Sequence, residues 1–176
     1  QRQMCIRDRF YPKLIGTITH RLLQWICEFH PQSFDEIPWA LAESLLAQVG
    51  PGEPYLTQIK KLIQQFWHCS IGAWIRMPHT DEENEYPLLI KDEHIVRKAI
   101  IDRTFIEHHQ RWIIDFKTDA KEKDIQKYQV QLNRYAQYMQ ELNPEQPITC
   151  GLYFLKHQTW KTWTYSAEHH EIMAEI

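Results

Sequence analysis

Two segments rich in β-branched and aromatic residues, joined by a short polar stretch, constrain the fold of this chain more than any other feature. Residues 100–106 and 112–118 have the composition of β-strands. The polar stretch between them predicts a hairpin loop centred on His108 and His109, although it contains no Asn-Gly or Asp-Gly pair. The sequence therefore predicts a β-hairpin in the second half of the chain.

If this hairpin is symmetric about its midpoint, Asp102 falls opposite Asp115, because the two aspartates are equally distant from that midpoint. Side chains alternate along a strand, so Lys117 shares the face of Asp115, whereas Ile114 and Phe116 point to the other face. The pattern predicts two carboxylates and a lysine together on a sheet that is otherwise hydrophobic.

The two predicted carboxylates need a compensating positive charge. Two neighbouring carboxylates repel each other unless a proton or a cation lies between them. A divalent metal with oxygen ligands satisfies this requirement, and the lysine then holds a substrate anion or a water beside it. The alternative is a surface hairpin with one Asp–Lys ion pair, and because Asp-x-Lys is a short motif, the choice depends on what accompanies it.

Composition narrows the function classes. The 176 residues suffice for one domain with a helical extension, and 43% hydrophobic and 12% aromatic residues indicate a globular chain. The net charge of −3 means that nucleic-acid binding requires a local basic patch. No apolar run approaches the length of a membrane span, and no signal peptide is visible.

The four cysteines have no paired spacing, so we expect neither a zinc or iron–sulfur site nor a disulfide framework. Free thiols in an intracellular protein are the simplest interpretation. The four are Cys5, Cys27, Cys69 and Cys150.

The chain begins with a segment that does not join the rest. Residues 1–9 resemble a translated sequencing adapter, and we exclude them from the fold as non-native, in which case the chain is a fragment. We predict that residues 10–176 form a single domain. Its helical part spans about 14–72, and a sheet with one crossing helix spans about 74–165.

Helical periodicity predicts three helices in the first part of the chain. The first begins at Gly16 with Thr17 as its N-cap and has an apolar face that ends at Phe29. The other two cover residues 39–49 and 54–70.

The second part of the chain is predicted to be a sheet with one helix. Sheet-like sequence begins near Trp74 and precedes the hairpin. A helix over residues 125–142 follows, and residues 148–155 and 160–165 form two final strands. Helices followed by a mixed sheet with one crossing helix make the fold α/β.

Four sequence features occur together in an order that is specific although each is weak alone. They are Gly-Thr-Ile-Thr-His at 16–20, Ile-Asp-Arg at 101–103, Ile-Asp-Phe-Lys-Thr at 114–118 and Gln-Leu-Asn-Arg-Tyr-Ala at 131–136. With them, the chain resembles the RecB-like branch of the PD-(D/E)xK nucleases, most closely the C-terminal nuclease domain of RecB/AddA-type helicase–nuclease subunits, from about residue 14 to residue 165. The resemblance implies a restriction-endonuclease-like core, a mixed β-sheet flanked by helices with an N-terminal helical segment.

The resemblance implies a catalytic metal centre. Its ligands would be His20, Asp102, Asp115 and the backbone carbonyl of Phe116, and Lys117 would orient the attacking water or stabilise charge on the phosphate. Oxygen ligands with one imidazole suit Mg²⁺ or Mn²⁺ and leave positions for water and phosphate.

Further residues are implied to contact DNA. Gln131 and Tyr135, four apart on one helix face, would line the active site near the DNA backbone. Arg97 and Lys98 depart from the family pattern in being unusually basic, and they would help to hold DNA. The resemblance also implies that Glu85 is a further acidic position of this branch.

The implied activity is metal-dependent exonuclease cleavage of linear DNA, single-stranded at the active site. The resemblance places such a domain in the C-terminal part of an ATP-dependent helicase–nuclease that resects double-strand breaks for recombinational repair in the bacterial cytoplasm. Its partners would be DNA, the upstream helicase region of the same chain and a partner subunit. The sequence contains no Gly-Lys-Ser/Thr phosphate loop, so we expect no ATP site in these 176 residues.

Two alternatives remain. The first is a nuclease-like module that binds DNA or a subunit without cutting; such modules typically lose the aspartate or the lysine, whereas His20, Asp102, Asp115 and Lys117 are all present here. The second is a stand-alone nuclease of the kind found with CRISPR adaptation systems, which the lack of clustered cysteines disfavours.

Overall fold

The computed structural model describes residues 2–48, 53–92, 95–118 and 124–167, with side chains from residue 12 onward, except those of residues 91, 92 and 95. The chain divides into two compact units. One consists of Gln1–Met77 and Leu155–Gln158, and the other of Pro78–Phe154 and Thr159–Ile176. The predicted domain organisation stays a prediction.

The first unit is helical. The helices predicted over 39–49 and 54–70 are confirmed as α2 and α3, and the residues of α3 that face inward recur at helical spacing and are buried. The elements are α1 (Arg2–Phe29), a 3₁₀ turn (Phe34–Glu36), α2 (Trp39–Ala47), α3 (Glu53–His68) and α4 (Ser70–Arg76).

Helix α1 begins earlier than the sequence predicts. It starts at Arg2, so Thr17 is not an N-cap but lies inside the helix, where its Oγ1 donates to the backbone oxygen of Lys13 at 3.0 Å. Because the helix begins at Arg2, Thr17 is not in its first turn, where the backbone N–H groups lack partners within the helix, and no cap is needed at this position. The apolar face is also shorter than predicted, because Phe29 is 60% exposed. The foreign origin of residues 1–9 stays a prediction.

The prediction that the sheet begins near Trp74 is wrong. Trp74 lies in α4, and the first strand begins at Thr80. Cys69 caps α4, because its Sγ accepts the backbone N–H of Gly72 at 3.1 Å. Trp74 therefore belongs to a helix that ends at Arg76, before the first strand begins.

In the part of the second unit that the structure describes, a five-stranded mixed sheet is accompanied by one helix, which confirms the predicted α/β class. The strands lie in sequence order; three neighbouring pairs are antiparallel, and β3 and β4 are parallel. Parallel neighbours need a crossover, and α5 supplies it. The elements are β1 (Thr80–Asp92), β2 (Ile95–Glu107), β3 (Gln110–Lys117), α5 (Ile125–Leu142), β4 (Ile148–Phe154) and β5 (Thr159–Thr164).

The hairpin between β2 and β3 has the predicted midpoint. Glu107 pairs with Gln110, and the two turn residues, His108 and His109, have φ values of 49° and 64°. Two successive positive φ values are the requirement of a type I′ turn, the tightest connection that matches strand twist. Histidine thus occupies positions that asparagine and glycine usually fill.

The core of the second unit lies between α5 and the sheet. Leu132 and Ala136 of α5 pack in one buried cluster with Ile113 of β3 and with Cys150 and Leu152 of β4. Burial raises the pKa of the Cys150 thiol to about 12.

Within the described residues, no helix has the length and apolar character that crossing a bilayer requires.

Candidate active site

Strands β2 and β3 bring the two predicted aspartates together. The paired residues of β2 and β3 extend from Glu107–Gln110 to Arg103–Ile114. The next position in this register puts Asp102 opposite Asp115, as predicted from the symmetry of the hairpin. The Oδ2 of Asp102 accepts the backbone N–H of Phe116 at 2.7 Å. This bond fixes the Asp102 carboxylate against the strand that carries the second aspartate.

Asp115 and Lys117 form an ion pair on one face of β3. The distance between Asp115 Oδ2 and Lys117 Nζ is 2.5 Å, and the side chains are 7% and 19% exposed. Residues two apart on a strand share a face, so the alternation argument made from the sequence is correct here. The scarcity of water around the pair strengthens the attraction between the two charges.

A tyrosine to which the sequence analysis assigned no role at the site completes this group. The Nζ of Lys117 lies 4.5 Å from the centre of the Tyr128 ring, which α5 presents from its second turn. The ammonium is therefore held by a carboxylate and by an aromatic ring face. The available signal was the position of Tyr128 three residues before Gln131, which puts both on one face of α5.

Gln131 and Tyr135 contact each other, as their spacing of four predicts. The Gln131 Nε2 donates to the Tyr135 hydroxyl at 2.6 Å. The Tyr135 ring is part of the buried core and only 8% exposed. Their predicted role beside DNA stays a prediction.

Glu85 lies in the same row of the sheet as the two aspartates. It falls on β1 between the residues that pair with Arg103 and Ile101, which puts it opposite Asp102. Its φ is 53°, a conformation uncommon for a residue with a side chain. The register thus aligns three acidic residues, Glu85, Asp102 and Asp115, across three neighbouring strands.

A buried arginine next to Asp102 stabilises this part of the sheet. Arg103 is fully buried, and its guanidinium donates to Glu82 Oε2 at 2.7 Å and to Asn84 Oδ1 at 2.9 Å. Both partners lie on β1, so the arginine links β1 to β2. Sequence reasoning quoted Arg103 within the Ile-Asp-Arg feature but gave it no role, although an arginine inside a hydrophobic strand needs an acidic partner.

The two predicted basic residues lie elsewhere on β2. Arg97 and Lys98 are exposed and pair with Ile90 and Leu89 of β1. Lys98 is four residues from Asp102, roughly 13 Å along the strand. A role in holding DNA stays a prediction for both.

His20 lies within α1, in the helical unit, and is half-buried. Because α1 begins at Arg2, His20 is in the middle of the helix rather than in its first turn. Its convergence with Asp102 and Asp115 stays a prediction.

The donor chemistry of the sheet fits part of a divalent-cation site. Asp102 and Asp115 supply hard oxygen ligands on neighbouring strands, and the ammonium beside Asp115 shows that this carboxylate is placed to hold positive charge. Across the described ranges, however, no group of three or more His, Cys, Asp or Glu is assembled that is able to hold a metal ion. The two aspartates alone do not complete a site, and further ligands would have to join them.

The sequence model of the PD-(D/E)XK nuclease superfamily matches residues 1–176, the entire sequence. No curated protein matches the chain.

Proposed function

The chain belongs to the PD-(D/E)XK nuclease superfamily, and from this membership we propose that it is a metal-dependent deoxyribonuclease domain that hydrolyses phosphodiester bonds. The observation that carries the proposal is the arrangement on β2 and β3. The Asp102 carboxylate is anchored on the Phe116 N–H, and the Asp115 carboxylate is paired with Lys117. Two carboxylates able to ligate a metal ion and one ammonium on a common strand pair are among the groups that metal-dependent phosphodiester hydrolysis uses.

The roles follow from the chemistry of the side chains. Asp102 and Asp115, with the Phe116 carbonyl, would hold Mg²⁺ or Mn²⁺, and His20 would add an imidazole. When bound, the ion supplies a nucleophilic water and neutralises phosphate charge. Lys117 carries only hydrogen-bond donors, so it binds the attacking water or a phosphate oxygen and does not ligate the metal.

The finer proposal is an exonuclease of the RecB-like branch. It is supported by the order of the four sequence features and by the contact between Gln131 and Tyr135 on α5. The proposed setting is the C-terminal part of a bacterial helicase–nuclease in the cytoplasm, acting on linear DNA ends during double-strand-break repair. Arg97 and Lys98 would contact the DNA backbone, and a helicase region and a partner subunit would complete the assembly.

The experiment that tests this function is cleavage of end-labelled linear DNA by the purified chain. We expect products with Mg²⁺ or Mn²⁺ and none with chelator. Asp115→Asn keeps the size of the side chain but removes its charge, so it should abolish cleavage and weaken metal binding measured by calorimetry. Asp35→Asn, an exposed aspartate of the 3₁₀ turn, is the matched control and should cleave like wild type.

Closed circular DNA included in the same assay separates exonuclease from endonuclease action, because a circle has no end to digest. Binding of DNA and metal without any product would contradict the proposal and support the non-cleaving module instead.

A further inference from the structure

The ring of Tyr128 and the carboxylate of Asp115 both contact the Lys117 ammonium, at 4.5 Å from the ring centre and 2.5 Å from Oδ2. We propose that Tyr128 is a positioning residue that holds the Lys117 ammonium in place for the reaction. The inference rests on the proposed nuclease function, to which it adds a residue of α5. Tyr128 acts through Lys117 and touches no reacting atom.

The physical reason is the freedom of a lysine side chain. Four rotatable bonds let an ammonium take many positions, and a single ion pair restricts it only weakly. The face of an aromatic ring carries negative electrostatic potential and attracts a cation, most strongly where water is scarce. With 19% of its side chain exposed, Lys117 is in such a place.

The ring becomes most important when Asp115 binds another cation. A metal ion on Asp115 competes with the ammonium for the same carboxylate, and the attraction between Asp115 and Lys117 then weakens. The ring of Tyr128 is uncharged, so the attraction between the ring face and the Lys117 ammonium persists. Lys117 therefore stays beside the carboxylate instead of swinging into solvent.

A second tyrosine of α5 offers a control that separates the effect of packing from that of the cation–ring contact. Tyr128 and Tyr138 both pack at the margin of the same buried core, on the same helix. Ten residues of helix separate them by about 15 Å along its axis. Tyr138→Leu therefore removes an equivalent aromatic packing residue far from Lys117 and is the matched control for Tyr128→Leu.

The first test uses the metal-free protein and lysine-labelled NMR. A methylene beside an ammonium that lies over a ring is shifted upfield, so the Lys117 Hε resonance should lie upfield of that of exposed Lys98. Lys117→Arg assigns the signal. The upfield shift should persist in Tyr128→Phe, which keeps the ring face, and disappear in Tyr128→Leu.

The second test measures cleavage kinetics. Tyr128→Leu should lower kcat about five- to tenfold, the range a cation–ring contact supports, while KM and metal affinity stay at wild-type values. Tyr128→Phe and Tyr138→Leu should keep wild-type kcat. Tyr128→Met, which is also aliphatic, should behave like Tyr128→Leu and replaces it if the leucine variant does not fold.

Three results would overturn the inference. They are a wild-type Lys117 Hε shift equal to that of Lys98, an equal loss of kcat in Tyr128→Phe and Tyr128→Leu, or wild-type kcat in both aliphatic variants. If the wild-type protein cuts no DNA with either metal, the nuclease proposal fails, and the NMR comparison still decides whether Tyr128 holds Lys117.

Discussion

Replacing Lys117 by methionine should separate stability, metal binding and catalysis in a single variant. The substitution keeps an unbranched side chain of similar length and removes the charge. In the metal-free protein it takes the ammonium away from a carboxylate that is only 7% exposed. Breaking a fully buried ion pair costs about 3–5 kcal/mol, and because Lys117 keeps 19% exposure, we expect a loss of about 2–3 kcal/mol in the free energy of unfolding.

The affinity for Mg²⁺ should not fall with the stability when Lys117 is replaced by methionine. The ammonium contacts Asp115 Oδ2, where it competes with a bound cation. The variant should therefore bind Mg²⁺ at least as tightly as wild type, and saturating Mg²⁺ should restore part of the lost stability, because a ligand that binds only the folded state stabilises it. Turnover should still fall on the order of 10²-fold, the usual cost of losing one electrostatic contact in the transition state.

Three measurements on the same preparations test the predicted changes in stability, metal binding and turnover. They are urea denaturation with chelator and with Mg²⁺, calorimetric titration of Mg²⁺, and cleavage of end-labelled DNA. Lys161→Met, at an exposed lysine of β5, should match wild type in all three. Wild-type turnover in Lys117→Met would refute the catalytic assignment. Weaker metal binding together with unchanged stability would refute the argument that the ammonium and the metal compete.

Three stability predictions concern the second unit and are checked by urea denaturation. Gly151→Ala should cost about 1–3 kcal/mol, because a Cβ at this position overlaps the indole of Trp160, and Trp160→Ala should relieve the loss. Glu82→Gln should cost about 2 kcal/mol, because Arg103 is fully buried and keeps a neutral acceptor in place of its carboxylate. The stability of wild type should fall as pH rises above 9, because the unfolded chain ionises Cys150 near its ordinary pKa of 9.0 whereas the folded chain holds the proton until about 12. Cys150→Ala should make this fall shallower, and an unchanged slope would contradict the assignment.

The sequence predicts the hairpin correctly because its determinants are local. Alternation along a strand and symmetry about His108 and His109 require only neighbouring residues, and they suffice to bring Asp102 near Asp115 and to put Lys117 on the face of Asp115. Most other elements also follow from periodicity, with ends within a few residues of those predicted.

The start of α1 is a local feature that periodicity misses, because the apolar period begins at Gly16 although the helix continues backward to Arg2. Other features depend on contacts between separate elements, which periodicity within one element does not reveal. The contact between Tyr128 and Lys117 joins α5 to β3, and periodicity in either element alone says only that Tyr128 faces inward. The bond from Phe116 N–H to Asp102 likewise depends on the exact approach of two strands.

The two-residue turn at His108 and His109 has a consequence for the order of folding. It lets Asp102 meet Phe116 across only 14 positions, whereas the parallel pairing of Arg111 with Ile148 must first close 37 positions of chain. Short loops close in about 10–100 ns and lose less entropy than long ones. We therefore expect the carboxylate pair to assemble before β4 joins the sheet, so that His109→Gly, which relaxes the positive φ of the turn, speeds refolding in stopped-flow experiments while leaving the unfolding rate nearly unchanged. The carboxylates proposed to bind the metal would then be among the first residues of the sheet to come into contact during folding.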